Sequence, residues 1–574
     1  MTIPTTAPIS TRAARRGFVI ALVAAPLALF LVWPLAESVR GAFIDPNGRP
    51  TLAYVAGVFR NPIYVEGLRN AFTIALGATA MASIIGVGLA VLLDRYDFPG
   101  RSWLGALVPL PLMVPPFVGA IGIKQILGQS GALNALLIRL DLMKAGRPVD
   151  WLREGRFAAV VALTGLHLYP IVYLNIRAAL GGVNLEMEEA AASLGCRGLR
   201  QFAKITLPAI LPSVFAATSI VLISGLTELG VPLICDFPRV TSMQIFTGLK
   251  ELGRNPFVYA LVFVVLVSTV VLYALARALV GRTRGASATK GARVRQARRL
   301  SPGTGLIATA ALTAIVGTAA LPNLAVGLLA FARDWYGTIW PAGLTLDHVR
   351  GAIGHDVVIP SIGNSLRYVG LSTSADLILG TAIALLVVRG RSRGAQIIDA
   401  AAMLPLAVPG LVMAFGYLAI SHEGRPLAFL NPARDPTALL VIAYTIRRLP
   451  FVVRSAAAGL AQISVTLEEA AWCLGARPLR AFARVTLPLL APHLLAGGVF
   501  AFALSMLEVS DSLILAQRQA TFPITKAIYE LFQLLGDGRA VAAALGLWAM
   551  LFLVTAVAFA RSLLGRRVRA LFRL

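Results

Sequence analysis

The sequence predicts an all-α membrane protein of about 12 transmembrane helices, arranged as two homologous six-helix halves. Three observations carry that prediction. Hydrophobic residues make up 57% of the 574-residue chain and charged residues only 14%, with mean hydropathy +0.77, whereas soluble proteins carry about 25% charged residues. Apolar runs of roughly 20 residues, long enough to cross the hydrocarbon of a bilayer, recur along the whole length. A polar stretch between them occurs twice: residues 186–212 match residues 466–492 at 15 of 27 positions, without a gap and 280 residues apart.

The chain starts with the basic stretch Thr11 to Gly17 and an apolar run to about Leu35. The run is long and no small-residue cleavage site follows, so it reads as a first membrane helix with a cytoplasmic N-terminus, not as a signal peptide. Residues 39–66 are polar and placed outside, and spans follow near 68–93, 103–125, 157–179, 209–232 and 256–280. Six crossings bring the chain back to the cytoplasm. There the Gly/Ser/Ala-rich stretch Gly281 to Arg299 holds seven cations and no acid, the composition of a flexible linker on the positive, inner face.

The second half repeats the pattern, with spans near 305–332, 363–389, 397–420, 436–453, 490–515 and 540–564 and a basic, internal tail from Arg561 to Arg569. Asn70 and Asn364 open corresponding spans 294 residues apart, and Pro111-Leu-Met-Val-Pro115 answers Pro405-Leu-Ala-Val-Pro409 at the same offset. Pro170 and Pro450 are already 280 apart, so the first half has a 14-residue-longer outer loop around Asp141 to Glu154. Parallel repeats with an axis along the membrane normal follow. The expected divisions are residues 1–280, a linker at 281–304, and residues 305–574.

The formal charge of +25 is spread in short basic clusters between apolar runs, as the positive-inside rule requires, so it argues topology and no nucleic-acid partner. Cys196, Cys235 and Cys473 form no disulfide framework, and none of the five histidines has a His or Cys within four residues. No metal site is expected.

In the repeated stretch, Glu189, Ala190, Ala191 and Leu194 sit at helical spacing and lead into Gly195, which can end a helix in a left-handed turn. A second short helix then carries Arg197, Arg200 and Lys204 on one face, and Pro208 is expected to close it. Glu469, Ala470, Ala471, Gly475, Arg477, Arg480, Arg484 and Pro488 repeat every element. A basic membrane anchor needs charge but no fixed glycine and proline, so a docking elbow used twice is the sharper reading. Beyond each elbow lies an acid, Glu228 and Glu508, again 280 apart, with Asp511 one turn past the second. An acid at membrane depth should face a pathway or a partner. A helix–helix hydrogen bond competes with a cation-attracting outer vestibule. Asp376 has no counterpart at Ala82 and is expected to pair within the bundle.

No Gly-rich loop ending in Gly-Lys-Ser/Thr exists, so the chain holds no nucleotide through a P-loop. A secondary transporter would also have two six-helix halves, but it has no need of a duplicated elbow. The pattern Glu-Ala-Ala, three residues, Gly, nine residues, Ile/Val, one residue, Leu-Pro is met at Glu189 to Pro208 and again at Glu469 to Pro488. It resembles the EAA loop of binding-protein-dependent ABC importer permeases, and the resemblance covers nearly the whole chain, each half like one permease subunit. The fused form is similar to ferric-iron importer permeases, with thiamine, polyamine and aminoalkylphosphonate permeases close by. The resemblance implies a permease with no catalytic site and no cofactor of its own in the bacterial inner membrane. Two copies of a separate ATPase subunit, binding ATP and magnesium, would dock on the elbows, and a periplasmic binding protein would deliver the solute.

Overall fold

A segment lying in hydrocarbon must satisfy its own backbone hydrogen bonds, and a helix does so within one stretch of chain. The computed structural model, which describes residues 17, 20–45, 47–249, 255–282, 297–390, 392–534 and 536–563, is accordingly helical almost throughout. The first half contains α1 (Ile20–Phe43), α2 (Pro62–Arg95), α3 (Arg101–Leu107), α4 (Pro116–Leu127), α5 (Arg156–Leu180), α6 (Leu185–Ser193), α7 (Leu207–Leu226), α8 (Gly230–Ile234) and α9 (Pro256–Arg282). The second contains α10 (Pro302–Phe331), α11 (Val358–Gly390), α12 (Arg393–Met403), α13 (Gly410–Ser421), α14 (Thr437–Gln462), α15 (Val465–Cys473), α16 (Leu487–Met506), α17 (Ser510–Leu515) and α18 (Gly538–Leu563). Most of the basic linker, at 283–296, lies outside the described residues, as does the tail from 564. At the linker's end a two-residue strand β2 (Arg298–Arg299) runs parallel to β1 (Tyr96–Asp97).

Nine helices among the described residues are long and apolar enough to cross a membrane, and twelve if each of three bent pairs is one span. Two expected spans, near 103–125 and 397–420, are such bent pairs. The chain turns by 101° between residues 112 and 116 and by 108° between 406 and 410. Prolines explain both breaks: Pro111, Pro115 and Pro116 in the first, Pro405 and Pro409 in the second, each removing a donor and pushing its predecessor out of the helical region. The third pair joins α14 to the elbow helix α15; α14 carries Arg447, Arg448 and Arg454, which dilute its hydropathy.

Small residues let the helices touch. On α2, a Cβ added at Gly86 would lie 2.7 Å from the Val172 side chain and 2.9 Å from the Tyr169 carbonyl of α5. Gly380 of α11 meets Val452 of α14 in the same way, a Cβ there falling 2.8 Å from the valine side chain. These are duplicated positions, 294 and 280 residues apart. The first helices are exchanged: Gly122 on α4 abuts the Pro322 carbonyl of α10, and Gly416 on α13 abuts the Pro34 carbonyl of α1. The two compact units are therefore not the two sequence halves. One comprises residues 1–41, 360–523 and 555–573, the other 42–359 and 524–554 with residue 574.

Candidate functional site

Each elbow is built by local chemistry. The Asn184 side chain caps α6 by accepting from the Glu186 amide at 2.9 Å, and Ser464 does the same for α15 from Thr466 at 3.3 Å. Glu186 and Glu188, in the first turn of α6, suit its positive end. The helix then stops at a left-handed glycine: Gly195 has φ +79° and Gly475 φ +83°. The Cys196 amide donates to the Ala191 carbonyl at 2.8 Å and the Gly195 amide to Ala192 at 3.1 Å, the paired bonds of a Schellman ending. Ala476 and Gly475 repeat both bonds at 3.0 and 2.9 Å. No atom lies within 4 Å of a Cβ built on either glycine, so the backbone angle alone demands it.

Glu189, Ala190, Gly195, Arg197, Arg200 and Pro208 are exposed, as are Glu469, Ala470, Gly475, Arg477, Arg480 and Pro488; Ala191 is buried and Ala471 half-buried. Four leucines stand out between the arginines: Leu194 and Leu199 are each 88% exposed, Leu474 89% and Leu479 83%. Pro208 does not close the second arm. It lies in the first turn of α7, after a π-helical turn at Phe202–Thr206, and Pro488 follows a like turn at Phe482–Thr486. The wider turn is where the proline's clash with the carbonyl four residues back is taken up, so the helix runs on through it.

A buried triad, not anticipated from the sequence, fastens each elbow. Arg95, the last residue of α2, lies 3.0 Å from Glu188 Oε1 and donates to Thr206 Oγ1 at 2.6 Å, while Thr206 donates to Glu188 at 2.5 Å. In the second half Arg389 lies 3.3 Å from Glu468, which accepts from Thr486 at 3.1 Å. The signal in the sequence is the 294-residue spacing of two arginines that each close an apolar run.

Glu228 and Glu508 both lie in helix breaks, between α7 and α8 and between α16 and α17. The Glu228 carboxylate accepts from the amides of Gly230 at 3.0 Å and Val231 at 3.3 Å, and Glu508 accepts from Ser510 and Asp511. Each acid thus caps the short helix that follows it. Beyond that the halves differ. Glu508 is 4% exposed and ion-paired with Arg447 at 2.9 Å and with Arg448, whose guanidinium also donates to the Leu504 carbonyl at 2.9 Å. The expected negative field is therefore offset at Glu508 by two cations on α14. Asp511 is 1% exposed beside this pair, and Asp376 of α11 is fully buried in the field of Arg448. Arg447 and Arg448 were legible as cations inside an apolar run, but their partner was not.

Residues 86–285 and 376–570 each match the family model described as the binding-protein-dependent transport system inner membrane component. The chain is 26% identical over 469 residues to the probable ABC transporter permease protein y4fN of Sinorhizobium fredii, a match covering 81% of each chain. It is 24% identical over 468 residues to the ferric transport system permease protein FbpB of Actinobacillus pleuropneumoniae, covering 80% of this chain and 64% of that one. The sulfate transport system permease protein CysT of Salmonella typhimurium is 28% identical over 269 residues, 46% of this chain and 92% of that one. The chain is a multi-pass inner-membrane component of an ABC importer without an ATPase domain, and it belongs to the binding-protein-dependent transport system inner membrane family, whose domain it carries twice.

Proposed function

We propose that the two elbows each receive one copy of an ATPase subunit on the cytoplasmic side, that a periplasmic binding protein delivers solute at the opposite end, and that the solute is ferric iron. The duplicated elbow carries the docking reading. Leucines more than four-fifths exposed, at matching positions in both copies and rimmed by arginines, form the apolar-centred, charged-edged surface that a partner covers. ATP and magnesium are bound by those partners, and closure of the ATPase pair moves the elbows. The exposed glycine turns, with Glu189, Arg197 and Arg200 and their second-half counterparts, make the contact.

Glu228, half-buried in a helix break at membrane depth, is the acid offered to the solute pathway, because such breaks are tolerated only where protein or a cavity surrounds them. Glu508 and Asp511, expected on the pathway from the sequence, are buried beside Arg447 and Arg448 instead. The iron reading is supported by FbpB, a ferric transport permease long enough to match both halves of this chain, whereas the sulfate permease, matched over 92% of its own length, answers to one half only. Among the described residues no three of His, Cys, Asp and Glu group to hold a metal ion.

Reconstitution with both partners in liposomes tests each part. ATP-dependent accumulation of radiolabelled ferric iron, not competed by sulfate or 2-aminoethylphosphonate, is expected. Competition by either compound overturns the solute, and failure of the ATPase to co-purify overturns the docking.

A further inference from the structure

The elbow is joined to two helices. Covalently it continues into α7 or α16 through the π-helical turn. Non-covalently, the Arg95–Glu188–Thr206 triad ties it to the end of α2, and Arg389–Glu468–Thr486 to the end of α11. Glu188 and Glu468 side chains are only 9% and 13% exposed, and Gln201 adds a bond to the Glu188 carbonyl at 2.7 Å. A charge-assisted, largely desolvated contact is stiff. A π turn with displaced backbone bonds is the softer of the two joints.

The far ends of the same two helices are also tied down, again in duplicate. Asn70 on α2 donates to the Arg239 carbonyl at 2.7 Å, and Arg239 reaches back to Glu66 at 3.1 Å. Asn364 on α11 donates to the carbonyls of Ala520 at 2.8 Å and Phe522 at 3.2 Å. Residues 239 and 520–522 belong to the segments that follow the broken helices α8 and α17. With 34 residues, α2 spans about 50 Å at 1.5 Å each. The two repeated asparagines thus acquire a place: each anchors the end of a long helix opposite the elbow.

We propose that α2 and α11 are connecting rods, clamped to the elbows by Arg95 and Arg389 and to the segments beyond the helix breaks by Asn70 and Asn364. They carry displacement between the ATPase end and the solute-delivery end. This rests on the importer reading above. Glu188, Glu468, Arg95, Arg389, Asn70 and Asn364 are positioning residues that touch neither ATP nor solute.

Stimulation of ATP hydrolysis by the binding protein tests the rods directly, because the signal must cross the whole permease. The complex of permease, ATPase and iron-loaded binding protein is assembled with Glu188→Gln plus Glu468→Gln, with Asn70→Leu plus Asn364→Leu, and with all four changes. Each pair is expected to lower the stimulation about tenfold, within the range of coupling between linked sites, while basal hydrolysis and ATPase co-purification persist. Because the two clamps act in series, the fourfold variant should be no worse than either pair. Thr206→Val plus Thr486→Val, which removes only two hydroxyls, gives a milder loss in a permease of normal stability. Exchanging the charges as Arg95→Glu with Glu188→Arg, and likewise Arg389→Glu with Glu468→Arg, should restore part of the stimulation. Unchanged stimulation in either pair, additive losses, or loss of the ATPase from the complex overturns the proposal. A wild-type complex that the binding protein does not stimulate removes the importer reading itself, and the rods with it.

Discussion

Replacing Glu508 by Gln should cost far more stability than replacing Glu228 by Gln, although duplication relates the two acids. In the second half the change leaves Arg447 and Arg448 packed around a neutral amide, and neither guanidinium can shed its proton. Breaking a buried ion pair by removing one partner costs about 3–5 kcal/mol. In the first half the positions of Arg447 and Arg448 hold His167 and Leu168. The Gln amide oxygen can still accept from Gly230 and Val231, and weakening those two bonds from charge-assisted to neutral costs about 1 kcal/mol. Heating the purified permease and following its monodisperse fraction by size exclusion should place E508Q well below E228Q, with wild type highest. Adding Arg447→Gln to E508Q should recover part of the loss, since it removes one stranded charge. Equal melting of the two single variants would refute the assignment of Glu508 as an ion-pair hub. Enhanced loss in E228Q alone would reverse it.

Ala at Gly195 or Gly475 forces a left-handed backbone on a residue with a Cβ, at about 1–2 kcal/mol and with no clash, so ATPase stimulation should drop in an inserted permease; Asn, which tolerates that conformation, should retain more, and a stimulation unaffected by Ala would show the turn is not needed. Gly86→Ala should destabilise by about 1–3 kcal/mol through overpacking against α5. Gly88→Ala, in the same helix with nothing within 4 Å, should be neutral or stabilising by up to about 1 kcal/mol through helix propensity, and equal thermal shifts would contradict the α2–α5 contact. A membrane-impermeant thiol reagent should miss Cys196 and Cys473 in intact cells. In inverted vesicles it should label exposed Cys473 faster than half-buried Cys196, and labelling of either from outside would overturn the cytoplasmic placement of the elbows.

The parts of the fold legible in the sequence are those written locally. The spans follow from hydropathy, the elbows from Glu189, Gly195 and Arg197 with their copies, and the breaks at 111–115 and 405–409 from proline. Long-range partners leave no such trace. Nothing near Gly122 or Gly416 announces that each receives the first helix of the other half, because any small residue in an apolar helix looks alike until its neighbour is known. The continuation of the helix through Pro208 was hidden for a related reason: a proline reads as a stop unless the turn before it widens, and the widening has no residue signature of its own.

The acids beyond the elbows show how far duplication can mislead when charge is counted without partners. Compared with the first half, the second gains Arg447 and Arg448 where His167 and Leu168 stand, and gains Asp376 and Asp511 where Ala82 and Val231 stand. Any one of these charges alone at the centre of a membrane helix costs about 2.5–3.5 kcal/mol by insertion measures. Two basic and two acidic residues added leave the formal charge unchanged, and it is Glu508, an acid in both halves, that lies between the arginines and binds them. The Asp376 and Asp511 carboxylates are buried without a hydrogen-bond partner among the described residues. Gly410 belongs to the same set, since a Cβ there would occupy the space of the Arg447 guanidinium. The group makes physical sense only when taken whole. On the proposed docking, one kind of partner surface meeting both copies accounts for the likeness of the elbows, while the membrane interior of the second half carries charges that the first lacks.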